Sequence, residues 1–541
     1  MTYTFRQHTN WIRTFVKGYR VRLSLYFVLE LIGIALSLLF VYWSKVAIDR
    51  ATADFEKEIA PILLLIVLAA VGGVVLRAAS SWIDENTRLR MSVELQNTLT
   101  KEQMSSSWAS IKKRHTGDLM LRLQEDSKEV IQMIGSSAIS FAITIIKLLA
   151  SLFFLWSMDP VLAAMILFIT PLFLFSKIYF KKMRILNQEA KAADSAVANI
   201  VQENLRFRMI IQALGLFGYR ASKLQQEQSR LLQLKMRQIN FSLISNTIVR
   251  VTMSAGYLIA FIWGVYRLHH QEISFGTMTA FLQLVGRIQN PILSAAAFFP
   301  SFVRFRVSLD RILELFNEKK ITLPSPIKLE TLQKITFDKV SFKYEEANVI
   351  NDLSFQVSRG KPLAILGSSG RGKTTLMRLL LALCSPDSGK ILLEDGQDKA
   401  HVLQENYRSN FAYVPQGNSL FTGTIRENIM GVQSISMEEI NQALNVACAN
   451  FVHDLPQGIH TFIGESGYGL SEGQAQRIAI ARAVIQKVPV WLFDEPTSAL
   501  DDETSSQLIR HLFSEGRNKI LIFVTHDLKL AERCDTSVYL H

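Results

Sequence analysis

Gly469–Asp501 reads GLSEGQAQRIAIARAVIQKVPVWLFDEPTSALD. Near its end the apolar run Val490-Trp491-Leu492-Phe493 does not alternate with polar residues, the pattern of a parallel strand buried on both faces. Two carboxylates, Asp494 and Glu495, stand at its carboxyl tip, where an open α/β sheet places its chemistry. An aspartate there can hold Mg²⁺, and a following glutamate can orient or deprotonate water. Upstream, Leu470-Ser471-Glu472-Gly473-Gln474 opens a helical segment, Gln476–Gln486, so a hydroxyl and backbone N–H groups gather at a helix N-terminus, an anion site. A DE pair alone is more often a strand end with two surface acids. Here it is not alone.

Gly367-Ser368-Ser369-Gly370-Arg371-Gly372-Lys373-Thr374 matches G-x-x-x-x-G-K-[ST]. It follows the apolar run Pro362–Leu366 and precedes an apolar helix, Thr375–Cys384, the strand–loop–helix setting such a phosphate loop needs. The glycines let backbone N–H groups wrap phosphate, Lys373 supplies positive charge, and Thr374 offers a hydroxyl to Mg²⁺. We count Gly367 through Thr375 as nucleotide-contacting. The chain binds a nucleoside triphosphate on this reading.

The rest of the chain is more apolar than an ordinary soluble protein. It has 541 residues, 49% of them hydrophobic, and a mean hydropathy of +0.19. Six segments reach the ~20 residues that span hydrocarbon: Leu23–Ala47, Ile59–Ser80, Ile131–Trp156, Val161–Phe180, Phe241–Tyr266 and Phe275–Phe299. The connections differ in kind. Asp49–Glu58 carries four acids against two bases, whereas Lys181–Asn240 carries 11 bases against four acids. The positive-inside rule then places the long loops, both termini and the phosphate loop in the cytoplasm. The same rule accounts for the formal charge of +12 without nucleic acid as partner. Met1–Arg22, basic and aromatic, reads as an interfacial helix on that leaflet; the long apolar run behind it does not suit a secretory signal. Cys384, Cys448 and Cys534 show no paired spacing and read as reduced thiols.

These motifs together resemble the ABC transporter family, specifically its exporters, over nearly the whole chain. LSEGQ resembles the family signature and LFDEPTSALD its Walker B strand and D-loop. Tyr344, closing FDKVSFKY, matches the aromatic that stacks on adenine; Gln416 in YVPQ matches the Q-loop glutamine that meets Mg²⁺; His526 in VTHD matches the switch histidine. GESG (Gly464–Gly467) and FTGTIRENI (Phe421–Ile429) are similar to exporter motifs. Taken singly, Tyr344 reads equally as a core aromatic and His526 as a structural histidine. The resemblance implies a helical membrane domain (1–320), a linker (321–334) with Pro324 and Pro326, and an α/β P-loop ATPase domain (335–541). It implies ATP and Mg²⁺ as cofactors, with Glu495 and His526 catalytic, Thr374, Gln416 and Asp494 at the metal, and Ser471, Gly473 and Gln474 on nucleotide. It also implies a second half-transporter, a homodimer being simpler than a heterodimer, in a bacterial inner membrane. Coupling helices are expected near Ser105–Arg114 and Ile211–Tyr219, although ordinary solvated helix fits both stretches. The activity implied is ATP-driven export or leaflet-to-leaflet translocation of a lipid, drug or peptide; an ATP-gated channel and a membrane-tethered regulatory ATPase are the alternatives. Such exporters usually continue past the point where this chain ends, at His541.

Two features are particular to this chain. Glu472 stands where the family most often has glycine, either as a tolerated solvent-facing change or as a brake on closure over triphosphate. Lys147 and Arg287 come out roughly 15–20 Å deep by helical rise, with no acidic partner expected at that depth. Charges so placed face a bundle interior or a watery cavity, and we expect them to line a cationic cavity for an anionic or amphipathic substrate. Arg77, Arg250 and Glu30 count nearer the inner boundary, where the arginines fit snorkelling as well as a cavity.

Overall fold

The computed structural model describes residues 3–53, 58–106, 116–169, 176–317, 325–344, 347–368, 370–397, 399–431, 435–464 and 469–540. They form two compact units: one from residues 3–101 and 116–317, the other from 102–106 and the chain after 325.

The first unit is helical. Its long helices are α1 (Phe5–Val16), α2 (Arg20–Ala53), α3 (Ala60–Met104), α4 (Ala138–Met158), α5 (Pro160–Ile169), α6 (Ser176–Arg206), α7 (Phe217–His269) and α8 (Phe275–Phe316). Between α3 and α4 the chain runs through short helical pieces, two of them π-helical, at Arg122–Asp126 and Met133–Ser137. Among the described residues, four helical stretches are long and apolar enough to cross a membrane: Phe5–Thr52, Ala60–Met104, Asp118–Met158 and Phe217–His269. The fourth expected span is described only as α5 and the start of α6, and the sixth forms the first part of α8. Among the described residues the long loops are largely helix: α3, α6 and α7 run on for 45, 31 and 53 residues. The stretch Arg304–Phe316 is no separate element but the end of α8, which continues unbroken through Pro291.

Two local expectations change. The aromatic face of the amino-terminal segment packs within the unit: Trp11, Phe15 and Tyr19 join a core with Met91, Leu95, Leu309 and Ile312. Around the second expected coupling helix, the short helix is Arg208–Ala213, and Gly215 turns the chain with a φ of +64°, so Phe217–Tyr219 already belong to α7. Most of Ser105–Arg114, together with Ser369 and Glu465–Gly467, lies outside the described residues.

The second unit holds strands β1 (Leu332–Tyr344), β2 (Ala347–Ser358), β3 (Leu363–Leu366), β4 (Ser388–Asp395), β5 (Ala400–Val402), β6 (Phe411–Val414), β7 (Gly423–Thr424), β8 (Phe462–Ile463), β9 (Val490–Asp494), β10 (Ile520–Val524) and β11 (Thr536–Tyr539). β1 begins inside the stretch expected as linker. The antiparallel sheet has the order β2-β1-β4-β5; the sheet that positions the site is parallel, in the order β11-β3-β10-β9-β6. All residues of β9 and β10 are buried, which is why neither run alternates. Phe493 stacks on Phe523 at 5.2 Å, and Phe513 covers Phe523 at 5.6 Å. Full burial of each such ring contributes about 1.5–3 kcal/mol, so this side of the sheet is a stiff platform for its loops.

Candidate functional site

Parallel pairing sends four loops to one edge. β10 pairs with β3 and β9 so that Val524 lies level with both Ile365 and Asp494, and β6 pairs with β9 up to Val414. The phosphate loop after β3, Gln416 after β6, Asp494-Glu495 at the end of β9 and His526 after β10 therefore share the carboxyl edge. This is the crevice rule of open parallel sheets, realised by residues far apart in sequence.

The phosphate loop ends at Gly372, whose φ of +94° caps the helix α9 (Lys373–Leu380). A side chain there is strained by that backbone, and a Cβ would also press on Val349 at 3.1 Å. Lys373 donates its ammonium to the Gly367 carbonyl and reaches the Ser368 carbonyl at 3.5 Å. Thr374 is exposed at the mouth of the loop, while Thr375 is turned into the core. Tyr344 accepts a hydrogen bond from Arg378 Nη1 at 2.9 Å, an arginine that the sequence reading passed over inside an apolar helix.

Glu495 is the centre of the arrangement. Gln416 Nε2 donates to Glu495 Oε2 at 2.8 Å, and His526 Nδ1 lies 3.3 Å from Glu495 Oε1. Its backbone is left-handed, with φ at +51°, a conformation costing about 1 kcal/mol for a residue with a side chain. Four bonds hold it there, one of them from the Ser498 N–H to the Glu495 carbonyl at 3.3 Å. Its N–H donates to Val524 O at 2.8 Å, and its carbonyl accepts from Gln476 Nε2 at 2.7 Å and from Ser498 Oγ at 3.1 Å. Gln476 was not expected as a site residue; the signal for it is a glutamine on the buried face of a helix, 1% exposed. A cleft of 360 Å³ opens beside Glu495, walled by Ser498, Asp502, Thr525 and His526.

Asp494 is 5% exposed. Burial first, then the neighbouring Glu495 carboxylate, push its pKa up to about 6, while Lys373 and Arg378 pull it down. A group destabilised as an anion by its surroundings is one that gains from a nearby cation. Among the described residues no cluster of three or more His, Cys, Asp or Glu could cage a metal alone. Asp494, Thr374 and Gln416 offer carboxylate, hydroxyl and amide oxygens, which fit Mg²⁺ held by few protein ligands plus phosphate.

The signature residues form a cap. Ser471 Oγ accepts the Gln474 N–H at 3.2 Å and Gln474 Oε1 accepts the Ser471 N–H at 3.0 Å, starting α10 (Glu472–Val484). The Ser471 hydroxyl keeps its own proton to donate outward. A Cβ on Gly473 would lie 2.4 Å from the Ala499 carbonyl oxygen, so the glycine is needed for packing against the segment after β9. Among the described residues, no hydrogen bond joins Ser471, Gly473 or Gln474 to the phosphate loop.

In the membrane unit, Lys147 lines a cavity of 330 Å³ with Glu30, Ser37, Arg77 and Ser80. Arg287 donates to Ser37 Oγ. Arg77 and Glu30, counted nearer the inner boundary, thus share the space of Lys147, because a count along one helix ignores how far a long side chain reaches toward its neighbours. No acidic partner was expected for Lys147 or Arg287; Glu30 shares the cavity, but among the described residues it forms no ion pair with either. Arg250 is exposed and does not line this cavity.

Residues 350–498 match the family model described as ABC transporter, and residues 23–292 the model described as ABC transporter transmembrane region. A putative multidrug export ATP-binding/permease protein, YgaD of Bacillus subtilis (strain 168), is 27% identical over 433 residues, 79% of this chain and 74% of that protein. An ATP-dependent lipid A-core flippase of Syntrophus aciditrophicus (strain SB) is 25% identical over 535 residues, 96% of this chain and 87% of that protein. The fold matches that of a bacterial Atm1-family ABC exporter with ATP bound, at a TM-score of 0.80 and 23% identity, over 96% of this chain and 93% of that one.

Proposed function

The chain belongs to the ABC transporter family, joining a membrane region and an ATPase in one polypeptide, and from that premise we propose that it exports, or moves between leaflets, an amphipathic substrate with an anionic head. The observation that carries the ATPase half of this reading is Glu495, held between Gln416 and His526 on the sheet edge that also bears the phosphate loop. Relatives named as a multidrug exporter and a lipid A-core flippase support an amphipathic cargo.

In this reading the phosphates of ATP lie along Gly367–Thr374, with Lys373 leaving the loop carbonyls for phosphate oxygens and Tyr344 facing the adenine. Asp494, Thr374 and Gln416 would hold Mg²⁺, which supplies charge neutralisation on the phosphates when bound. Glu495 takes a proton from the attacking water, and His526 donates to the terminal phosphate. Ser471 and Gly473 sit on the nucleotide of a second copy, each chain completing the other's pocket. A homodimer is the simpler assembly because one chain carries every residue type the site needs; a heterodimer is the alternative. Closure of the two ATPase units would turn the membrane cavity outward as a rigid-body switch. Lys and Arg in the long loops favour a cytoplasmic position for the ATPase unit and both termini.

Replacing Glu495 by glutamine keeps the bond to Gln416 in reach but removes the base. Phosphate release should fall by about a hundredfold or more, with fluorescent-nucleotide binding retained. Normal turnover in Glu495→Gln would overturn the assignment.

A further inference from the structure

The membrane cavity holds charges of both signs, and they are kept apart. Arg77 and Lys147 line it, and Arg287 reaches it through Ser37. Arg287, Arg77 and Glu30 all lie near enough to Lys147 for their charges to be felt there. Glu30 lines the same space with its Oε1 accepting from Ser80 Oγ at 2.5 Å. Among the described residues, no ion pair joins Glu30 to Lys147, Arg77 or Arg287. Charges at this depth are costly and ordinarily collapse onto a partner. Here two of them are tethered instead to hydroxyls, Glu30 to Ser80 and Arg287 to Ser37, which leaves open space between carboxylate and cations.

We propose that this cavity takes a zwitterionic head group, a phosphate against Lys147, Arg77 and Arg287 with a primary ammonium beside it against Glu30. The inference rests on the export reading above and narrows its substrate class. Guanidinium and ammonium groups supply charge-assisted donors to phosphate oxygens. Glu30 is what discriminates. A head bearing only phosphate meets the carboxylate as a like charge, whereas an aminoalkyl phosphate turns the same contact into an attraction, and specificity is that difference. A quaternary ammonium carries the charge but has no N–H for the carboxylate to accept.

The test uses the full chain reconstituted into vesicles of phosphatidylglycerol alone, or of phosphatidylglycerol mixed equally with phosphatidylethanolamine or with phosphatidylcholine, reading ATPase stimulation. Free O-phosphoethanolamine is added to the first set as the soluble form of the same head. Wild type should respond several-fold more to phosphatidylethanolamine than to either other lipid. Glu30→Gln, which keeps an acceptor for Ser80, should erase that preference and raise the response to phosphatidylglycerol; Glu30→Asp should retain it. A response to the lipid alone assigns the head to a membrane lipid, and a response to the free compound assigns it to a soluble solute. An unchanged lipid ratio in Glu30→Gln, or a wild type indifferent to the amine, overturns the proposal. If Lys147→Ala and Arg287→Ala abolish stimulation while Glu30→Gln alters nothing, only the zwitterion falls. If those two variants are also without effect, the cavity does not receive cargo and the anionic-head reading falls with it.

Discussion

Glu472 occupies the first turn of α10, exposed, directly after the Ser471 cap. The backbone N–H groups of that turn point outward with the positive end of the helix dipole, and a carboxylate among them offsets the field that should meet a phosphate. The side chain also supports the helix itself, since acids in a first turn are favourable to it. The two effects oppose each other, and the exposed setting keeps both small. Removing the charge in Glu472→Gly should raise apparent ATP affinity or basal turnover about twofold to fivefold, measured by phosphate release against ATP concentration. An unchanged curve would make Glu472 a neutral surface variation.

Among the elements, the turn between α4 and α5 shows how one side chain organises a helix end. Asp159 is 1% exposed. Its Oδ1 accepts the Leu162 N–H at 3.0 Å, capping α5, while Oδ2 accepts from Trp263 Nε1 at 3.1 Å and Arg267 Nη1 at 3.0 Å on α7. Asp159→Ala would leave an indole and a guanidinium edge without acceptors. Arg267 is partly exposed and keeps Glu272 at 2.6 Å, so the loss should be about 2–3 kcal/mol, seen as a Tm lowered by several degrees in detergent; an unchanged Tm would mean the turn is held by packing alone. The sequence around this turn, Met158-Asp159-Pro160, does not name its partners, which lie on a helix more than a hundred residues away. The same limit runs through the site. Unbroken apolar runs announced β3 and β9, the tip of β9 announced Asp494 and Glu495, fixed spacing announced the phosphate loop, and the family resemblance pointed to His526, because those signals are local. Gln476, Arg378 and the sharing of one cavity by Glu30 and Lys147 are products of packing between segments, and no local pattern encodes them.

At the scale of the whole molecule, the proposed assembly has a quantitative signature. If each nucleotide needs Ser471 and Gly473 from another copy, a chain carrying Lys373→Ala and Ser471→Arg together spoils both pockets of every pair it enters. Co-reconstituting it with wild type should make activity fall as the square of the wild-type fraction; a linear fall would mean that each chain works by itself. The contact of Gly473 with Ala499 bears on what such a pair can do. Not even a methyl group fits in that seam, and Gln476 stitches the same helix to the Glu495 carbonyl. On the proposed assembly, the strip that would greet a neighbour and the strip that would break the phosphate bond are thus riveted together, and neither could be retuned without dragging the other along.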